Sequence, residues 1–183
     1  PPGRCDLNCE SRNMKTVRIF ISSPGDVAEE RDRGRQVVEQ LRRRYAEQFD
    51  LKAVMWEDLP LQGDLSFQQG IDLMLSREQG VDIAVFILWS RLGSPLGALI
   101  RKPNGSFYRA GTEREYELIV EARRENERLR PGSDAPKLLI YTRKDEASFD
   151  ERLRGKSTDE KNDLLAQKKL VESFIEEEFH DAQ

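Results

Sequence analysis

The chain has 183 residues, 37% of them hydrophobic and 35% charged, with a net charge of −4. That is enough chain for one domain with its own core, and the interleaving of basic with acidic residues excludes the basic stripe of a nucleic-acid binder. The longest near-continuous apolar run, Val81–Trp89, is about half of the roughly 20 residues a membrane-spanning helix needs, so neither nucleic acid nor membrane is an expected partner.

Residues 1–13 are polar and aperiodic and hold both cysteines, Cys5 and Cys9. They read as a tail ahead of a folded part that starts at Met14. No leader is visible, so a cytoplasmic location is expected. After Met14 there is no cysteine, and the only histidine is His180. Ser-His-Asp and Cys-His catalysis and a His/Cys zinc site are thereby excluded. No metal is expected, and any catalytic chemistry falls to carboxylates and hydroxyls.

Val17–Ser22 (VRIFIS) is a β-branched and aromatic run, the first expected strand. Pro24-Gly25 turns the chain, and Asp26 with Glu29 has capping-box spacing for a helix running to about Phe49. Gly34, Val37, Val38, Leu41 and Tyr45 share one face of that helix. Leu51–Asp58 is a second strand. Ser66 with Gln69 opens a helix that buries Phe67, Ile71, Met74 and Leu75 and stops at Gly80. Val81–Trp89 is the third and most buried strand. A loop from Ser90 to Thr112 follows, long enough to suggest a functional role. A helix from Thr112 to about Leu129 is then broken by RPGSDAP. Lys137–Arg143 is a fourth strand, and a charged region ends in a helix over about Thr158–Phe179 with Leu164, Val171, Phe174 and Ile175 as its apolar stripe.

Strands that alternate with helices predict an α/β flavodoxin-like three-layer sandwich with a parallel sheet. Right-handed crossovers leave the order 2-1-3-4 as the simplest, with room for a fifth strand. The α/β domain is expected over residues 14–143, and 144–183 as a charged helical extension leading to further domains.

In such a sheet ligands bind beyond the carboxyl ends of the strands where the winding reverses, here between strands one and three. Ser22, Ser23 and Gly25 offer hydroxyls and backbone N–H groups at that point, or simply form a turn and cap. Trp56 and Trp89 end strands two and three and have the shape to stack on a base, or to pack at the rim. Glu57 and Asp58 have the chemistry to bind a ribose or stand simply as solvated loop acids, and Ser90 and Arg91 follow the third strand, with Arg91 suited to a phosphate or to an acidic partner. The helix GTEREYE opens onto the same crevice and offers two candidate acids, Glu115 and Glu117. Helical phase puts Glu115 with Tyr116, Ile119 and Ala122 on the inward face, and Glu117 and Glu113 outside. Thr112 with Glu115 also has the T-x-x-E spacing of a capping box, so a purely structural role stands beside the catalytic one.

Taken together, VRIFISSPGDVAEERDR, the WED after strand two, ILWSRLGSPLG and GTEREYE resemble a family of bacterial domains of unknown function found at the N-terminus of NACHT- or other STAND-type ATPases. The resemblance covers roughly Lys15 to Arg143. It implies a TIR-like fold and a signalling or antiphage effector that self-associates and is joined to downstream ATPase and sensor domains. Some TIR domains cleave NAD with a glutamate on the helix after strand three; their Glu-Leu pattern maps to Glu117-Leu118. The similar deoxyribosyltransferase pattern G-T-x-x-E maps to Glu115. Glu113 and Arg114 stand where TIR domains carry Trp-Cys. The resemblance implies no bound cofactor, with NAD or another nucleotide as substrate, and it leaves a non-catalytic adaptor and a free-standing nucleoside hydrolase as alternatives.

Overall fold

The computed structural model describes residues 14–55, 80–97, 100–133 and 135–179. The expected helix between strands two and three, the tail with its cysteines, His180, and Trp56, Glu57 and Asp58 lie outside the described residues.

Four parallel strands, β1 (Lys15–Ser22), β2 (Phe49–Val54), β3 (Ile83–Leu88) and β4 (Lys137–Thr142), form one sheet in the order β2-β1-β3-β4. The fold is thus α/β, a flavodoxin-like three-layer sandwich. The helices are α1 (Ala28–Arg44), α2 (Gly111–Leu129), α3 (Glu146–Leu153) and α4 (Thr158–Glu178). Successive side chains of a strand point to opposite faces, and β3 shows it. Ala84, Phe86 and Leu88 join Phe20, Tyr116, Ile119, Val171 and Phe174 on the α2 face. Ile87 joins Ile19, Ile21, Val38, Leu51 and Phe149 on the α1 face. Phe20, Phe86 and Phe174 are fully buried; each such side chain contributes about 1.5–3 kcal/mol through its removal from water.

Gly34 faces the sheet, where a Cβ would make an ordinary contact with the Ile21 Cδ1 at 3.4 Å. Val38 below it is buried, but Val37 is 52% exposed and Tyr45 36%, so the inward stripe of α1 is narrower than its sequence pattern suggests. The helix stops at Arg44 rather than near Phe49. The Tyr45 N–H bonds back to the Leu41 carbonyl and the Phe49 N–H to the Tyr45 carbonyl, which turns the chain directly into β2.

The segment after residue 143 holds a helix absent from the sequence reading, α3. Asp145 caps it by accepting from the Ser148 N–H at 3.0 Å. The Arg143 guanidinium at 2.6 Å holds the Asp145 carboxyl down at about 2. A capping box of Ser157 and Glu160 starts α4. This segment gives Phe149, Val171 and Phe174 to the core, so it covers both faces of the sheet as well as extending the chain.

Candidate functional site

The β1–β3 crevice holds a cavity of about 410 Å³, lined by Ser23, Pro24, Gly25, Arg91, Gly93, Ser94, Pro95, Leu96, Gly111, Thr112 and Glu115. It lies where a parallel sheet in this order reverses its winding. The loop after β3 forms one wall. Gly93 has φ +111°, and a Cβ there would meet the Thr112 Oγ1 at 3.1 Å. Only glycine therefore lets this loop pass so close to the start of α2. The Gly111 N–H donates to the Ser94 carbonyl at 3.1 Å and pins the two together.

Glu115 borders the cavity and is 7% exposed. Its Oε2 accepts a 2.5 Å hydrogen bond from the Oγ of Ser22, the last residue of β1. The bond joins residues 93 positions apart in sequence and ties α2 to the mouth of the sheet. A carboxylate taken out of water needs such a donor. The capping box expected from Thr112 and Glu115 does not form. The helix begins one residue earlier, with extended Ala110 as its N-cap and no side-chain cap, so Thr112 stands inside the first turn and the Glu115 carboxylate reaches across to β1 instead of back along its own helix.

Glu113, expected on the outer side, is 2% exposed. The loop before α2 folds over it and supplies its partners. Its carboxylate accepts from the Lys102 Nζ at 2.9 Å, the Arg109 backbone N–H at 2.5 Å and the Arg109 Nε at 2.8 Å. Burial opposes its ionisation, but these three hydrogen bonds and the Arg109 charge prevail and hold its carboxyl below the usual range. Lys102 also reaches Glu117 at 2.7 Å, and Arg109 reaches Glu177 at 2.9 Å. Glu117 is thus occupied in an ion pair away from the cavity lining. The spacing Arg109–Glu113, four residues apart across the helix start, is the one sequence signal for this lock.

A second polar cluster lies behind the β3 loop. Asp26, expected to cap α1, accepts from the Ser90 N–H and the Ser90 Oγ, both at 2.9 Å. A short 3-10 turn at Gly25–Val27 precedes α1 and turns the Asp26 side chain toward β3 instead of toward the helix. Arg152 of α3 donates to the Ser90 Oγ at 3.0 Å and stands 3.9 Å from Asp26. Trp89 packs on this side too. The Arg143 and Arg152 guanidinium carbons lie 4.2 and 5.1 Å from its ring centroid, and Phe149 meets it edge-on at 6.4 Å. Trp89 therefore carries two cations and does not border the cavity, as a base-stacking role would require.

Of the residues named from sequence, Ser23, Gly25, Arg91, Thr112 and Glu115 line one cavity. Ser22 supports it from behind. Ser90 and Trp89 belong to the Asp26–Arg152 cluster. Among the described residues no group of three or more His, Cys, Asp and Glu side chains is placed to hold a metal, and no helix is long and apolar enough to cross a membrane. Comparisons of the chain with protein-family models, with curated proteins and with solved structures returned no match.

Proposed function

We propose that this chain is the TIR-like N-terminal effector domain of a bacterial STAND-type ATPase, acting in antiphage defence, and that its cavity cleaves the N-glycosidic bond of NAD or a related nucleotide once the domain is clustered. The observation that carries the reading is the Glu115 carboxylate, 7% exposed and bordering a hollow at the β1–β3 reversal. In the reaction the bond between C1′ and the base nitrogen breaks with its electron pair going to the base, water oxygen bonds to C1′, and the water gives up one proton, to solvent when nicotinamide leaves as a neutral base and to the leaving nitrogen when the base is a purine or pyrimidine. Positive charge builds on the sugar as that bond stretches. A carboxylate beside the ribose favours this state, and a low-exposure setting strengthens its effect. Ser22 fixes the orientation of Glu115 through its short hydrogen bond. Glu117, tied to Lys102, is not the acid of this reaction.

Chromatography of NAD, nucleotides and nucleosides incubated with the artificially clustered chain tests the reading. Turnover lost in Glu115→Gln is the expected result. Turnover that survives Glu115→Gln, or none of any substrate by clustered protein, would sink it.

One observation favours a non-catalytic adaptor. β4 has a partner strand only on its β3 side among the described residues, and Leu139 and Tyr141 on it are 43% and 58% exposed. An apolar strand edge of this kind recruits other chains. Sedimentation that shows self-association abolished by Tyr141→Lys, together with no turnover by clustered chain, is the outcome that selects the adaptor.

A further inference from the structure

Among the described residues of the cavity lining, Arg91 is the one whose charge is unanswered. It follows β3 directly, borders the cavity and is only partly exposed. Among the described residues no hydrogen bond, ion pair or ring contact engages its guanidinium, whereas Arg109, Arg143 and Arg152 are each held by acidic or aromatic groups. A guanidinium is planar, always charged and carries paired donors that match the oxygens of a phosphate. Left without a partner among the described residues in a concave site, it is a ready contact for an anion.

The surroundings support this polarity. Asp26 follows Gly25 in sequence and is the acid that would repel an anion there. Its side chain is 1% exposed, it is not among the lining residues, and it faces Ser90 with Arg152 3.9 Å away. A second guanidinium, that of Arg31, approaches the Ser23 carbonyl at 3.4 Å behind the cavity floor. Glu115 is the single acidic side chain among the described residues of the lining. The cavity's described residues therefore present one carboxylate and one open cation. Its volume of about 410 Å³ is toward the lower end of the roughly 300–1,000 Å³ usual for ligand sites.

We infer that the ligand of this site is a ribosyl compound bearing a 5′-phosphate, with Arg91 as the phosphate contact and Glu115 at the sugar. The inference rests on the reading of the cavity as a ribosyl site and adds the charged group that selects the ligand. Among the described residues Arg91 makes no hydrogen bond, ion pair or ring contact, so its replacement removes no such bond from the fold.

The test measures binding, with probes that have no N-glycosidic bond to cleave. The full chain is titrated calorimetrically with ribose 5-phosphate and with ribose, and with inorganic phosphate as competitor. Wild-type chain binds ribose 5-phosphate at least about tenfold more tightly than ribose, as a charge-assisted contact predicts. Arg91→Ala removes that preference without moving the thermal midpoint, Arg91→Lys retains part of it, and phosphate competes only in chains that keep the cation. Ribose 5-phosphate that binds no better than ribose, or a preference that survives Arg91→Ala, overturns the inference. A preference for ribose 5-phosphate that depends on Arg91, with no turnover of any substrate by the clustered wild-type chain, refutes cleavage and leaves the phosphate contact standing.

Discussion

The buried carboxylate of Glu113 offers the sharpest test of how the loop after β3 is held. Glu113→Gln keeps the shape of the side chain and removes its charge. Removing one partner of a buried pair costs about 3–5 kcal/mol when the other is left alone. Here the cations are not left alone. Lys102 keeps Glu117 at 2.7 Å and Arg109 keeps Glu177 at 2.9 Å. Their side chains are 19% and 22% exposed, so water also reaches them. The expected loss is therefore lower, about 2–3 kcal/mol. For a chain of this size it corresponds to a fall of about 4–12 °C in Tm. The assay is urea unfolding of both chains with slope and midpoint fitted separately. The pH dependence gives a second handle. Glu113 is held below its ordinary range in the folded chain, so its contribution is complete above the unfolded-state value of about 4.3 and fades as pH falls through the folded-state value beneath it. The gap between wild type and variant should close below about pH 4. A midpoint shift worth less than about 0.5 kcal/mol at neutral pH, or a gap that persists unchanged to low pH, would refute the assignment of Glu113 as the anchor of this loop.

Ser22→Ala removes the donor to a buried carboxylate oxygen and should cost about 1–3 kcal/mol, read by thermal melting; a rescue of stability by adding Glu115→Gln in the same chain would show that the two side chains act as a pair. Gly93→Ala forces an L side chain into φ +111° and against the Thr112 Oγ1. It should cost about 1–3 kcal/mol and raise amide exchange at Gly111, whose hydrogen bond to the Ser94 carbonyl depends on that approach.

The association reading and the catalytic reading use different surfaces. The cavity opens beyond the ends of β1 and β3, whereas Leu139 and Tyr141 lie on β4 at the sheet edge. A clustered effector needs both, so loss of assembly by substitution on β4 and loss of turnover by substitution at Glu115 are separable outcomes. Arg152 ties the segment after β4 to the cavity side. It grips Ser90, the residue before Arg91, from α3, so the helical segment after β4 supports the wall of the cavity.

The sequence by itself determined the layers. Apolar runs of six to nine residues alternating with amphipathic stretches admit a parallel sheet between helices, and right-handed crossovers leave few strand orders. The order found, β2-β1-β3-β4, places Ser23, Gly25, Arg91, Thr112 and Glu115 around one hollow, and those five were legible because they stand at strand ends or at one helix start. Helical phase also identified the inward turn of Glu115, since residues four apart share a face. What the sequence did not carry was the fate of each charge. Thr112 and Glu115 have the spacing of a cap, as do Asp26 and Glu29, yet neither pair caps a helix, because a backbone N–H of the same helix competes with donors brought by tertiary contact: Ser22 for Glu115 and Ser90 for Asp26. Glu113 looked outward by phase and is buried because a loop folds over it with two cations. Trp89 ends a strand at the site's edge, and its ring is claimed by Arg143, which follows β4, and by Arg152 from a helix whose pattern is hidden among charged residues. Periodicity reports which face of an element is apolar. The partner that answers a buried charge comes from a distant part of the chain, so only the folded arrangement can name it.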